Sequence, residues 1–301
     1  MDKDKRIVLK TINDSNDLEQ LISTDALCEV LQKEGYICEK DDSLDNVGAV
    51  ITGGRGAWKQ SENFKVEESF LQKYSDEVCK LAYAPSFEEN CDYPLGIKNI
   101  AYFEMKKFAG ISVADENTLN IMNGEFKMDV ELVCPPILLN EDVNIVSKEI
   151  GKEEGLFILS YITKTSAQKE KLLYLAEESI RYRVARYEGM KKDKCAADDY
   201  IDIVKKASMI ITDAPVIVQL AVLLGKPFIA VVDRNEKCSY EIVSLLKQLD
   251  LEERIVYVQE DMEEKTFLFK KPIKYGLVYC KLEQIRKKSK KWLLDCLEQV
   301  R

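Results

Sequence analysis

The stretch ASMIITDAPVIVQLAVLLGKPFI, Ala207 to Ile229, decides the fold class. Met209–Thr212 is a short apolar run that stops abruptly, as a buried strand does. Asp213, Ala214 and Pro215 then open a helix. Asp is a good N-cap, and Pro is tolerated in the first turn because its missing N–H had no partner there. Val216 to Leu224 is apolar apart from Gln219, and Gly225 closes it. This run is too short to cross a bilayer and reads as a core helix. Phe228–Val232 supplies the next strand. A strand, a helix and a second strand at this spacing imply a parallel sheet.

The pattern continues on both sides. Downstream, Ile242–Leu249 reads as a helix and Ile255–Val258 as a strand. A long final helix follows, with Leu282, Ile285, Trp292, Leu293, Cys296, Leu297 and Val300 along one face. Upstream, strands are expected at Leu156–Tyr161 and Arg183–Tyr187. Helices carry Leu172 to Ile180 and Tyr200 to Ala207. Nearer the start, Ile7–Leu9, Val47–Thr52, Leu81–Ala84, Ile111–Val113 and Val130–Val133 have strand character. A helix is expected from near Thr24 to Gly35, another over Ile97–Phe108 and a short one over Thr118–Met122. Pro135 and Pro136 then punctuate the chain. These two alternating blocks predict two Rossmann-like parallel-sheet domains, 1–142 and 143–280. The closing helix, 281–301, is expected to pack back on the N-terminal domain, because its stripe is long for one small domain to bury.

Composition excludes several kinds of chemistry. Among 301 residues there is no histidine. A Ser-His-Asp triad, a Cys-His dyad and a His-ligated metal are therefore impossible, and an acid or base has to be Asp, Glu, Lys, Tyr or Cys. Nine scattered cysteines include no C-x-x-C pair, so no zinc site is implied and buried free thiols suit a reducing compartment. No metal or cofactor is expected. The net charge of −9 argues against a nucleic-acid partner. The basic run Lys281, Arg286, Lys287, Lys288, Lys290 and Lys291 has two readings, a solvated helix face or a weak contact with an anionic membrane surface or glycan. The opening MDKDKRIVLK has no apolar run of the signal-peptide kind, and a cytoplasmic location is expected.

Seven segments, in order, resemble the polysaccharide pyruvyl transferase family. VITGGRGAWK from Val50 is similar to a family strand followed by Gly-Ser-Asp-Gln-x-Trp, with Gly53 and Trp58 matching. KLAYAPSFEE from Lys80 resembles Lys-x-Ala-Tyr-Ala-x-Ser-Phe-Gly, and ISVADENT from Ile111 resembles Ile-Ser-Val-Arg-Glu. VCPPILL from Val133 resembles Asp-Pro-Thr-x-Leu-Leu. The Ala207–Ile229 stretch is similar to a run through Thr-Asp-Ser-Phe-His-Gly to Lys-Pro-Phe. SLLKQLDLEERIV from Ser244 and IRKKSKKWLLDCL from Ile285 complete the series. The resemblance implies a glycosyltransferase-B-like fold. It also implies transfer of a pyruvyl group from phosphoenolpyruvate to a sugar hydroxyl of a surface glycan.

The departures fall where that chemistry belongs. The family's His is missing from the stretch Thr212 to Ile217, its Arg is Ala114, its Asp before Pro is Cys134, and another Asp is Arg55. The polar stretch Asn13 to Asp17 replaces a glycine-bearing loop. Ketal formation from an enol ether needs an acid to protonate the methylene carbon and cations to hold the phosphate and carboxylate. The expectation is a diverged transferase with weak or lost activity. The alternatives are a binding module for a sugar, nucleotide or phosphorylated ligand, and a glycosyltransferase-like enzyme using Asp213 or Glu241.

The candidate substrate-binding residues are Gly53, Gly54, Arg55, Trp58, Tyr83, Ser86, Thr212 and Asp213. Gly53 to Gly56 reads either as a backbone nest for phosphate with Arg55 as counter-charge, or as a tight turn. Trp58 and Tyr83 either face a ligand or pack in the core. Thr212 and Asp213 stand where a strand meets a helix N-terminus, an anion-accepting place unless the Asp caps the helix itself. The expected partner is a small anion (phosphoenolpyruvate or a sugar phosphate) or a glycan acceptor. It is expected between the Gly53 to Trp58 loop and the Thr212 to Pro215 turn.

Overall fold

A computed structural model describes residues 5–10, 18–40, 47–60, 64–87, 91–140, 156–187, 197–235 and 239–298. The polar stretch Asn13 to Asp17 lies outside them. The chain divides into two compact units, Met1–Asn140 with Glu283–Arg301, and Glu141–Leu282.

The first unit is built on the strands β1 (Arg6–Lys10), β2 (Ile37–Glu39), β3 (Ala49–Gly53), β4 (Cys79–Tyr83), β5 (Gly110–Val113) and β6 (Glu131–Leu132). They form one sheet in the order β2-β1-β3-β4-β5-β6, and every pair is parallel. The strand β4, CKLAY, is buried at every position. A parallel strand covered on both faces needs such burial, and this explains why the central strands show no polar alternation. The helices are α1 (Leu18–Lys33), α2 (Val66–Ser69), α3 (Leu95–Met105), α4 (Glu116–Ile121) and α5 (Pro136–Leu139).

The second unit holds β7 (Phe157–Tyr161), β8 (Arg183–Tyr187), β9 (Met209–Thr212), β10 (Phe228–Val232) and β11 (Ile255–Tyr257). Their order is β11-β10-β9-β7-β8, again all parallel. Its helices are α6 (Ala167–Ile180), α7 (Ala197–Lys206), α8 (Pro215–Leu223) and α9 (Tyr240–Gln248). Residues 215–222 of α8 are all buried, so α8 is a core helix, and an apolar stripe of ordinary width would not suffice there. It ends in a Schellman motif. Gly225 takes φ +64°, the Lys226 N–H donates to the Ala221 carbonyl at 2.9 Å, and the Gly225 N–H donates to the Val222 carbonyl at 3.3 Å. A side chain at Gly225 would also meet the Tyr279 hydroxyl.

The last helix, α10, runs from Tyr275 to Glu298, six residues longer at its start than the sequence pattern indicates. Its first turns belong to the second unit, where the Tyr275 hydroxyl donates to the Lys226 carbonyl at 2.5 Å. From Glu283 onward it packs in the first unit, as its stripe predicts. Leu293 is buried, Trp292 lies 6.2 Å from the Tyr83 ring, and Ser289 accepts the Cys134 N–H at 2.9 Å. Arg286 donates to the carbonyls of Leu138 and Asn140, at the C-terminal end of α5, where a cation is favoured. Lys281, Lys287, Lys288, Lys290 and Lys291 each pair with an acid: Asp250, Glu283, Glu131, Glu34 and Asp295. Those pairs neutralise the basic run locally.

Candidate functional site

The second sheet has the 2-1-3-4-5 order of doubly wound folds, and the first has the same order with β6 added at its far edge. In each, the chain reverses its direction of travel through the sheet beside its first strand. Ligands of such sheets bind outside the strand carboxyl ends at that reversal. In the first unit the place is the end of β1 and β3; in the second it is the end of β7 and β9.

In the first unit, most of the motif residues are engaged in holding loops together. A Cβ on Gly53 would stand 1.9 Å from the Tyr83 carbonyl oxygen. Glycine is therefore needed for the close approach of β3 to β4. Gly54 and Gly56 take φ +94° and +66°, which shape the turn. The Gly56 N–H donates to Ser86 Oγ at 2.9 Å, the Trp58 N–H to the Ser86 carbonyl at 3.2 Å, and the Ser86 N–H to the Gly54 carbonyl at 3.3 Å. Within the Gly53 to Gly56 run the Gly56 amide is thus taken, and the turn is stitched to Ser86. Ser86 is a buried brace.

Trp58 is fully buried against Phe70 and Phe87, with ring centres 5.9 and 5.7 Å away, and presents no face for stacking. Tyr83 is buried too, and its hydroxyl donates to the Cys134 carbonyl at 3.0 Å. Burial raises its pKa well above the ordinary phenol value, so it is held neutral. Beyond it, Ala84 takes φ +53°, an uncommon conformation for a residue with a Cβ, and its N–H donates to Ser112 Oγ at 3.2 Å. Arg55 is half-buried, and its carbonyl accepts from Gln20 Nε2 at 3.3 Å.

What remains open is a cavity beside these braces. Leu9, Lys10, Gln20, Ser23, Thr24, Thr52, Gly53, Gly54 and Tyr83 are among its walls. The hollow measures about 360 Å³ with the open solvent at its mouth included. Gln20 and Thr52 are only 6% and 1% exposed, yet among the described residues Gln20 Oε1 and Thr52 Oγ1 have no hydrogen-bond partner. A buried polar atom left so costs on the order of 1–3 kcal/mol. The sequence reading did not single out either residue. Gln20 escaped because α1 begins at Leu18, six residues before the expected start, which puts Gln20 in its first turn.

In the second unit, Thr212 is buried and its hydroxyl accepts the Ala214 N–H at 3.0 Å. Asp213 is not the cap of α8. That position is Ala214, which has no side chain to offer. The carboxylate turns instead to the loop after β7. Oδ1 accepts the Thr163 N–H at 2.7 Å, and Oδ2 accepts the Lys164 N–H at 3.4 Å and Lys169 Nζ at 2.8 Å. The side chains of Lys169 and Asp213 are 3% and 5% exposed, so this is a buried ion pair. Lys169 also donates to the Lys164 carbonyl at 2.8 Å. A lysine in the first turn of a helix opposes the helix dipole, and α6 carries one there, which is the sequence signal for an acidic partner. Next to this pair, the Asp233 carboxyl lies below its usual range, held there first by the Asn235 N–H and also by Gln259 and the charges of Lys169 and Lys164. Among the described residues no group of His, Cys, Asp and Glu could hold a metal, and no helix is long and apolar enough to cross a membrane.

Two Rossmann-like units with a closing helix that returns to the first define the glycosyltransferase-B-like class of fold. Solved structures agree. A functionally uncharacterised protein from Klebsiella pneumoniae subsp. pneumoniae is similar with a TM-score of 0.54 at 12% identity, over 86% of this chain and 94% of that one. AviGT4, a glycosyltransferase involved in avilamycin A biosynthesis, is similar with a TM-score of 0.50 at 10% identity, over 98% of this chain and 97% of that one. No family model and no curated protein matches the sequence.

Proposed function

We propose that the protein serves glycan biosynthesis as a polysaccharide pyruvyl transferase-like protein that binds a sugar-derived ligand and has weak or lost pyruvyl transfer. The observation that carries this reading is the turn between β9 and α8. There Asp213 spends its carboxylate on Lys169 and on two backbone N–H groups, and the residues that follow are Ala214, Pro215 and Val216. In the family this turn carries a histidine, so the position that would supply a proton is apolar here. The position of the family's arginine, Ala114, offers no cation for phosphate or carboxylate. The fold supports a glycan role, since AviGT4, of similar fold, is a glycosyltransferase of a biosynthetic pathway.

A thermal-shift screen with nucleotide sugars, sugar phosphates and free glycosides tests the ligand class. A ligand at a hundred times its dissociation constant should stabilise the protein by roughly 2.7 kcal/mol. If phosphorylated metabolites without a sugar stabilise it and no sugar compound does, the reading fails.

A further inference from the structure

Helix α3 buries one face and leaves another bare. Ala101 and Met105 enter the core of the first unit. At about 100° per residue, Leu95, Gly96, Asn99, Ile100 and Phe103 fall on the opposite side, within an arc of about 140°. All five are exposed, Leu95 to 75%, Phe103 to 64% and Ile100 to 46%. Among the described residues no other helix exposes more than two large apolar side chains. Singly exposed apolar residues are ordinary on a surface, whereas a stripe of them marks a contact. Gly96 lies in the same stripe. A Cβ built there meets nothing within 4 Å, and the residue is not in the left-handed region. The fold of one chain therefore does not require glycine at this position, where it weakens the helix relative to alanine. What glycine provides is a shallow place for a side chain arriving from outside.

The face is self-complementary. Asp92 is exposed just before α3, and Lys106 and Lys107 are exposed just after it. Lys106 Nζ lies 4.4 Å from the centre of the Tyr102 ring, and Lys107 pairs with Glu104 and Asp76. A second copy laid antiparallel, about a two-fold axis between Asn99 and Ile100, brings each Phe103 over Gly96 of the other copy. The two Asn99 amides meet near the axis, where each can donate and accept. Asp92 then stands beside Lys106 and Lys107 at both ends. A parallel arrangement would set like charges together, which is costly. We propose that this face of α3 is a two-fold interface with a second copy of the same chain, its helices antiparallel. Three large apolar side chains per copy bury less than the roughly 1,200 Å² of a stable standard interface, so the dimer is weak and reversible.

The test is sedimentation velocity of the full chain from about 5 to about 200 µM, a range that spans weak association. The sedimentation coefficient should rise with concentration. Phe103→Glu removes the aromatic anchor and should weaken association by about tenfold or more. Gly96→Arg fills the shallow place and should do the same, and its circular dichroism should match the wild type because the added side chain meets nothing within the chain. Asp92→Lys and Lys106→Asp should each weaken the dimer by about threefold, and the double variant should restore it, since it only exchanges the two charges. That rescue reports the antiparallel orientation, which a mere loss of folding would not produce. A wild type that stays monomeric at the highest concentration leaves the face to a different partner and overturns the proposal. A dimer that Phe103→Glu and Gly96→Arg leave unchanged also overturns it, because the copies then meet elsewhere.

Discussion

Replacing Asp213 by Asn separates a structural carboxylate from a catalytic one. In the native protein the carboxylate accepts two backbone N–H groups of the β7–α6 loop and the Lys169 ammonium at 2.8 Å, with both side chains at least nine-tenths buried. The amide keeps one acceptor for Thr163 but turns an NH₂ group toward an ammonium, so the charge of Lys169 loses its counter-ion inside the protein. Breaking a buried pair from one side costs about 3–5 kcal/mol. Lys169 retains the Lys164 carbonyl, which places the expected loss near the lower end, about 3 kcal/mol. For a unit of this size that is a fall of about 6–12 °C in Tm. Because the chain has two units, the assay is native-state hydrogen exchange on the amides of β7 and β9, which reports this unit alone. Lys169→Met and the double variant close the cycle. The double variant should lose less than the sum of the single losses, with a coupling of about 2 kcal/mol. A single Asn variant within about 0.5 kcal/mol of wild type, or strict additivity, refutes a structural role and returns Asp213 to the catalytic candidates.

Other consequences follow from packing and titration. Gly53→Ala would drive a methyl group into the Tyr83 carbonyl, 1.9 Å away, and should destabilise the first unit by about 3 kcal/mol or more, read as lost exchange protection in β3 and β4. Burial pushes the Cys79 and Cys134 thiols up to about 11 from an ordinary 9.0, so their contribution to stability is whole below about pH 9 and is lost as pH rises through about 11; urea midpoints that stay flat from pH 8 to 11 would contradict this. At pH 8, iodoacetamide should label the exposed Cys280 well before buried Cys134, checked by peptide mass spectrometry. Arg254→Met should cost about 2–4 kcal/mol, since the buried guanidinium holds the carbonyls of Leu268 and Lys271 at 3.1 and 2.6 Å, and urea unfolding of the second unit measures it.

The strands were legible wherever they are apolar and bounded by turn residues. VGAVIT and Met209–Thr212 needed nothing but their pattern. Ile37–Glu39 was missed because three residues give no period to read, and only its parallel partner β1 makes it a strand. The start of α1 was misplaced because Leu18 to Ser23 mixes polar and apolar residues without a clear stripe. The site was half legible. Residue types at strand ends mark where a ligand approaches, and the motif matches led there. What the sequence does not carry is which atoms are already spent. Ser86, Tyr83 and Asp213 have chemistry-bearing side chains, and each is engaged with a backbone carbonyl or N–H. Two atoms left unpartnered among the described residues, on Gln20 and Thr52, belong to residues with no motif and became visible only when the hydrogen bonds were accounted for.

The central claim, a glycan-directed protein in which pyruvyl transfer is weak or lost, meets its most direct test in ³¹P NMR of the purified chain with phosphoenolpyruvate and a panel of sugar acceptors. The account predicts a phosphoenolpyruvate signal that decays no faster than in the protein-free control. Inorganic phosphate released at a rate on the order of 1 s⁻¹, with a matching sugar ketal, would contradict it.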